Sequence, residues 1–484
     1  MPARPVLSRL AAPVAMALLA SAVAAGAADG QTQRPATVAT AAGPALQWTP
    51  RVDWLAAQGG GPAPAPARAT ARASANVLPA WLALHGEQRT RYESVDHRYR
   101  AAEVGGDEML AYRTRAQLRV NTTHLFGIAE VQDSRVGFTD SASTVTSRLV
   151  WGTQMVQLSA GLRWRNLGAR KLTVQVEAGR FSRDYGMGRM ISRLIYANTT
   201  YLQDGLVAGV SSRAWSVQGL ALRPVAYTYP VIARDSRYGR ARFGGVYATS
   251  TKLPALNVDA YVLHLNDGAD FPAATRRRLE TPGFRAFGTL GPGKHVEYEV
   301  EAATQWGVVG PLAHRAWFEH AQAGYGWPKA PFSPRLLGIF DYATGDADPT
   351  DGRSGAFDTL YGRVRFEFGP TGIYGLNGRS NLRSPGIWAF VKPVPAAELS
   401  VQHRWLRLAE ARDRWRPVGA SDPTGAAGTD IGRQVEVRLR YRWKQYFEFD
   451  GGVVRLTEGA FVRAVRPMPG GHTTFYFAGT EWRF

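Results

Sequence analysis

Residues 110–121 read Leu-Ala-Tyr-Arg-Thr-Arg-Ala-Gln-Leu-Arg-Val-Asn. The even positions, Leu110, Tyr112, Thr114, Ala116, Leu118 and Val120, are largely apolar, and the odd positions, Arg113, Arg115, Gln117, Arg119 and Asn121, are polar or cationic. A period of two puts these sets on opposite faces of an extended strand. One face suits hydrocarbon and the other suits water. Length decides between a soluble sheet and a membrane wall. Strands of soluble sheets run to roughly 5–6 residues, whereas a tilted strand needs roughly 9–11 to cross a bilayer.

The same alternation recurs along the chain. Leu172, Val174, Val176 and Ala178 oppose Thr173, Gln175 and Glu177, and Val296, Tyr298, Val300 and Ala302 oppose Glu297, Glu299 and Glu301. Leu399, Val401 and His403 oppose Ser400, Gln402 and Arg404. Val435, Val437, Leu439, Tyr441 and Trp443 oppose Gln434, Glu436, Arg438, Arg440 and Arg442. Candidate strands fall near 82–94, 109–121, 123–135, 154–165, 170–181, 203–212, 214–223, 241–251, 256–266, 281–290, 295–306, 313–326, 335–344, 384–393, 397–409, 431–443, 445–456 and 473–484. That is about eighteen, with 361–368 alternating as well and readable as strand or loop. The expected class is all-β, a transmembrane antiparallel up-and-down barrel. Such a sheet must close, because an open edge leaves backbone groups unpaired in lipid. An even count brings both ends of the chain to the same side.

The segment 473–484, Thr-Thr-Phe-Tyr-Phe-Ala-Gly-Thr-Glu-Trp-Arg-Phe, places Tyr476, Ala478, Thr480, Trp482 and Phe484 on one face. A closing strand of alternating aromatics that ends on Phe resembles the signal by which bacterial outer-membrane proteins engage their assembly machinery. Tyr476, Trp482 and Phe484 also suit an interfacial aromatic girdle.

Bulk properties agree. Apart from the N-terminus, no apolar run reaches the ~18 residues of a membrane helix. The chain has no cysteine, which excludes disulfide scaffolds, thiolate metal sites and cysteine nucleophiles. Its formal net charge is +19, carried almost entirely by arginine. Such a balance points to an anionic partner, or to an arginine-rich composition without a partner. Residues 1–28, with Arg4 and Arg9 before a short apolar stretch and small residues, read as a secretory signal. Residues 29–80 are rich in Ala and Pro and are expected to be disordered. Residues 81–484 form the barrel.

Other chemistries find little support. Gly186 and Gly188 lack the third glycine and helix of a dinucleotide fingerprint. There is no Gly-x-Ser-x-Gly elbow and no HExxH. Asp346, Asp348 and Asp351 near glycine turns are a calcium candidate, against the reading of an acidic surface loop. No other metal and no cofactor is expected. A nucleic-acid reader would gather its arginines on one patch, whereas here they recur strand by strand, so no nucleic-acid partner is expected. An outer-membrane enzyme would need a Ser/His or His/Asp pair in the wall.

The polar side of the alternation assigns Arg89, Arg91, Arg113, Arg115, Arg119, Arg438, Arg440 and Arg442 to the lumen. Arginine stays charged and takes a carboxylate bidentately, and rings of it favour anions. The competing reading is a brace, with each arginine paired to a carboxylate such as Glu87, Glu93 or Glu436. The acidic run Glu297, Glu299 and Glu301 would moderate any selectivity.

The chain also resembles the alginate-export family of outer-membrane porins over about residues 82–484. The matching blocks are Tyr112-Arg113-Thr114-Arg115, Glu130-Val131-Gln132-Asp133-Ser134-Arg135, and Gly179-Arg180. They continue with Tyr185-Gly186-Met187-Gly188-Arg189-Met190-Ile191-Ser192, Ala197-Asn198 and Asp204-Gly205. The last is Asp341-Tyr342-Ala343-Thr344-Gly345-Asp346 with Asp351-Gly352-Arg353 and Phe357. The resemblance implies an 18-stranded barrel whose arginine-lined lumen passes anionic polyuronate, and it adds Arg135, Arg180 and Arg189 to the lumenal set. The expected partners are outer-membrane lipid and an anionic polysaccharide or small acidic solute. The expected place is the outer membrane of a Gram-negative bacterium. Three functions stand: passive export of an alginate-like polyuronate, general or small-molecule uptake on the same barrel, and an outer-membrane enzyme. Segments 182–202 and 345–380 are long enough to enter the pore.

Overall fold

A computed structural model describes residues 78–99, 105–139, 149–226, 236–237, 240–253, 255–291, 295–363 and 367–484. The expected secretion signal and nearly all of the Ala/Pro-rich segment lie outside the described residues.

Eighteen long strands form the wall. In chain order they are β1 (Leu82–Val95), β2 (Asp107–Asn121), β3 (Leu125–Gly137), β4 (Trp151–Leu167), β5 (Leu172–Phe181) and β6 (Gln203–Ser211). Next come β7 (Trp215–Ala226), β8 (Arg242–Leu253), β9 (Leu256–Asn266), β10 (Arg277–Leu290), β11 (Val296–Val309) and β12 (Leu312–Gly326). The last are β13 (Arg335–Ala343), β14 (Leu382–Val394), β15 (Ala397–Arg407), β16 (Asp430–Trp443), β17 (Phe447–Glu458) and β18 (His472–Arg483). Each pairs antiparallel with the next. β1 also pairs with β18 through Gln88↔Trp482 and Thr90↔Thr480, which closes the barrel. Every expected strand is present, with bounds shifted by a few residues. Of segment 361–368, residues 364–366 lie outside the described residues, and 361–363 and 367–368 belong to the connection between β13 and β14, where Tyr361 makes a single bridge to Ile191.

Connections at one end are short, such as 122–124, 395–396 and 444–446, and those at the other are long, such as 182–202, 344–381 and 408–429. Short turns face the periplasm in barrels of this kind and long loops face outside. The outer surface carries exposed Leu84, Leu158, Val262, Phe284 and Ile387, the apolar band that lipid requires. Among the described residues no helix is long and apolar enough to cross a membrane.

The inner wall changes character with height. Toward the periplasm its residues are charged. Toward the long connections the same inward register presents Met109, Leu220, Leu222, Phe243, Leu263, Leu265, Leu279 and Phe318, all buried. All of these except Met109 pack against Met190, Ile191, Phe357 and Leu360 from two of the connections. A second cluster joins Val95, Leu406, Val454 and Phe475 of the wall to Ile373, Tyr374, Trp415 and Phe461. Each large side chain so buried contributes roughly 1.5–3 kcal/mol, so the long connections are held inside the barrel by an apolar core.

Candidate functional site: a lumen narrowed by two infolded connections

The segment 182–202 leaves the wall after β5, turns into the barrel and meets the arginines of β1 and β2. Arg89 donates to the carbonyls of Ile195 (2.9 Å) and Ala197 (3.0 Å). Arg113 donates to the same two carbonyls at 2.9 and 3.0 Å. Arg91 donates to the carbonyl of Tyr196 and lies 4.0 Å from the centre of its ring. Asn198 completes the anchor: its amide donates to the carbonyl of Leu149 at 2.7 Å, and its own carbonyl accepts from Gln132 and Ser134. A segment without secondary structure must place its backbone polar groups somewhere. Here guanidinium groups take three consecutive carbonyls.

Across the lumen, Arg189 of the same segment reaches three carboxylates, Glu299 and Glu301 of β11 and Glu367 of the 344–381 connection, the last at 3.1 Å. Burial alone would depress this guanidinium. Glu299, Glu301, Glu367 and Asp341 instead hold it well above its usual value, so it stays charged. Glu367 is shared with Arg379 at 2.7 Å. The two connections also zip together through their backbones: Tyr361 donates to Met190 (3.0 Å), Ser192 to Tyr361 (2.9 Å) and Arg363 to Gly188 (2.9 Å). Gly362 sits so close to Arg189 that a Cβ would fall 1.7 Å from its carbonyl oxygen. The 344–381 connection is pinned to β1 by Glu93, which pairs with Arg91 (2.6 Å) and accepts from the Ile373 amide (2.9 Å). It is pinned to β16 by Gln434, which accepts from Tyr374 (2.7 Å) and Asn377 (2.8 Å).

On the periplasmic side of this constriction the walls are accessible. Arg119 and Arg442 are partly exposed. Arg193 pairs with Glu130; burial opposes its charge, and Glu130, Glu87 and Asp184 more than restore it. Arg442 and Arg483 converge on Glu448 at 2.9 and 3.1 Å, and Arg438 reaches Asp450 at 2.6 Å.

The structure turns Arg89, Arg91, Arg113, Arg115, Arg119, Arg438, Arg440 and Arg442 inward, as the alternation requires. Their work is divided. Arg89, Arg91 and Arg113 anchor the infolded segment and are buried, Arg113 completely. Arg113 also donates to Glu87 at 3.0 Å, so the brace reading holds for it. Two assignments need correction. Arg135 is half exposed on the outer face, paired with Asp133 at 2.8 Å, because β3 turns its even positions, Glu130, Gln132 and Ser134, inward. Arg180 also points outward, to Asp204 at 2.7 Å, because β5 buries Gln175 and Glu177 instead. Arg189 is inside the barrel but enclosed, a tie between connections and not part of an open wall.

The calcium candidates do not converge. Asp348 accepts from Thr350, Asp351 accepts from the Arg353 amide at 2.8 Å, and the Asp346 amide donates to Asp413 at 3.0 Å. Among the described residues no three such groups are arranged to hold a metal ion. Burial together with Asp413 and Asp351 raises the Asp346 carboxyl above its usual range, and burial with Asp413 and Asp346 does the same for Glu410.

Sequence reasoning passed over Arg483, Arg285 and Arg335, and placed Arg404 on the polar face without assigning it to the lumen. Period two alone would have found Arg483, which alternates with Trp482. Two pairs of the type an enzyme would need are present. His320 Nδ1 lies 2.8 Å from Asp341, and His314 Nδ1 lies 3.3 Å from Ser354. His320 and Asp341 are both buried, and the second Asp341 oxygen is held by Arg404 at 2.6 Å, so that pair braces the wall between β12, β13 and β15.

The molecule is thus a closed barrel with an arginine-bearing lumen and infolded connections. The family model for alginate export matches residues 80–474. The chain belongs to the alginate-export family. No curated protein matches it. Among solved structures it is similar to Pseudomonas aeruginosa OccD3 (OpdP), with a TM-score of 0.52 and 9% identity over 84% of this chain and 92% of that one. OpdL of the same organism gives 0.52 and 12% over 84% and 99%. The outer membrane protein OprD gives 0.52 and 11% over 83% and 93%. At such identities the likeness is one of fold. This alginate-export family member is an outer-membrane β-barrel channel of a Gram-negative bacterium.

Proposed function

We propose that the channel passes an anionic polyuronate of the alginate type outward by passive diffusion. One observation carries the reading. A continuous sector of wall, β16 to β18 with β1 and β2, turns Arg442, Arg440, Arg438, Arg483, Arg89, Arg91, Arg113, Arg115 and Arg119 inward, and its periplasmic part is the accessible one. A polymer arriving from the periplasm would meet Arg119, Arg442 and Arg483 first. Glu448, shared by Arg442 and Arg483, and Glu481, the other partner of Arg483, keep those sites weak, so a chain of carboxylates exchanges from one guanidinium to the next without being trapped.

A second reading is uptake of a small acidic solute. It is favoured by the constriction: the two zipped connections leave Arg113, Arg189 and Arg379 almost entirely enclosed, which suits a narrow path better than a polymer.

Single-channel recording in a planar bilayer under a potassium chloride gradient separates the two. Anion preference with transient block by added oligouronate is the expected result. Anion preference with block by a monomeric uronate but none by the oligomer supports the small-solute reading. Absence of both preference and block rejects an arginine-guided path.

A further inference from the structure

Outside the lumen, the long-loop end of the wall carries a second set of arginines that channel function does not require. Arg383 on β14, Arg407 on β15, Arg433 on β16 and Arg455 on β17 all point away from the barrel and are exposed. They lie on four consecutive strands. Arg383 and Arg407 are direct cross-strand partners. Arg433 faces Trp405, two residues from Arg407, and Arg455 faces Val435, two residues from Arg433. The result is one oblique cationic stripe. None of the four has a carboxylate within ion-pair distance among the described residues. Asp430, the register partner of Arg407, turns toward the Ala460 amide at 3.4 Å. Glu319 on β12 and Glu410 in the connection after β15 stand, like Arg383, near Tyr342.

Like charges placed directly opposite on neighbouring strands destabilise a sheet. An anion that bridges two facing arginines removes that repulsion. The surface immediately toward the membrane middle is the opposite in character. Ile387 on β14, Val401 on β15 and Val435 on β16 are exposed, and Trp405 packs on His403 with ring centres 4.3 Å apart. A cationic stripe above an aliphatic face, at the end of the wall that meets the outer leaflet, matches an amphiphile with several phosphates on several acyl chains.

We propose that the outward face of β14–β17 binds the phosphorylated glycolipid of the outer leaflet, lipid A. Its phosphates bridge Arg383, Arg407, Arg433 and Arg455, and its acyl chains lie on Ile387, Val401 and Val435. Guanidinium groups take phosphate oxygens in bidentate fashion. The site is independent of the cargo and rests only on the outer-membrane location.

The test uses the full chain refolded in neutral detergent, with hexa-acylated bisphosphorylated lipid A as the probe and native mass spectrometry as the readout. Wild type is expected to retain lipid A. The variant carrying Arg383→Gln, Arg407→Gln, Arg433→Gln and Arg455→Gln is expected to retain it roughly tenfold less or worse, and the same four positions changed to Lys are expected to keep most of it. Equal retention by the Gln variant overturns the proposal. So does equal retention of dephosphorylated lipid A. Equal retention of phosphatidylglycerol at matched phosphate overturns the assignment to the glycolipid. If the fourfold variant does not fold, Arg383→Gln and Arg407→Gln alone are compared, and unchanged retention in both is the overturning result.

Discussion

Phe484 and Gly86 close the barrel together. The Gly86 amide donates to the Phe484 carbonyl at 2.7 Å, and the Phe484 amide donates back at 3.1 Å. The Phe484 ring lies over Gly86 so tightly that a Cβ on the glycine would stand 1.9 Å from ring carbon Cε2. The seam between the first and last strands therefore ends in an aromatic cap laid over a residue with no side chain. Gly86→Val should force the ring away and cost about 1–3 kcal/mol, as overpacking does. Heat-modifiable gel migration should show a lower unfolding temperature. Adding Phe484→Ala should recover part of the loss, and a fully additive double variant would argue that the two residues do not interact.

Arg189 ties three carboxylates from two parts of the chain. Arg189→Met leaves buried negative charge without its partner, a change that costs roughly 3–5 kcal/mol. The expected signs are a marked fall in thermal stability and a higher, noisier single-channel conductance as 182–202 leaves its seat. Unchanged conductance with lowered stability would mean that the segment stays in place by its apolar contacts alone.

Arg89 and Arg113 hold the same two carbonyls, those of Ile195 and Ala197. Either single Ala variant should leave the other arginine in charge and change conductance little. The double variant should widen the path. A double-mutant cycle on conductance is the check, with strong coupling expected.

The raised carboxyls of Asp346 and Glu410 predict a pH effect in the external connections. A carboxyl whose folded value lies above its unfolded one binds protons more readily when folded. The folded arrangement is therefore favoured as pH falls through that raised value toward the unfolded one. Both side chains are only partly buried, so the effect is small. Hydrogen exchange of residues 344–351 and 408–414, corrected for intrinsic rates, should slow as pH falls from neutrality toward the ordinary carboxylate range of about 4. Asp413→Asn, which removes the charge common to both, should flatten the difference.

The wall was legible because its signal is local. Alternation along β2 or β16 is written in a dozen consecutive residues, and the structure reproduces it face by face. Arg135 and Arg180 were misplaced because they came from matching blocks, whereas the side of the sheet is set by the parity of each strand, visible in Glu130 and Glu177. The constriction was foreseen only as two long segments. Which carboxylates Arg189 would meet depends on Glu299, Glu301 and Glu367, more than a hundred residues away, and no periodicity encodes such a meeting. The apolar upper lumen was missed for a related reason. Met109 and Phe318 sit on the inward register of their strands, and only infolded connections give them something to pack against.

That upper core has a consequence for how the molecule is made. Its members come from nearly every part of the chain, with Val95 at one end and Phe475 at the other gathered around Tyr374 and Trp415. Contacts between residues so distant along the chain form late, because loop-closure entropy must be overcome first. The curved wall can grow hairpin by hairpin, but the cluster around Tyr374 and Trp415 has no complete seat until β1 and β18 have met. Completing that cluster is thus a late event, separate from growth of the wall. A variant that slows only this event would insert normally, span normally, and for a time conduct through a wider path.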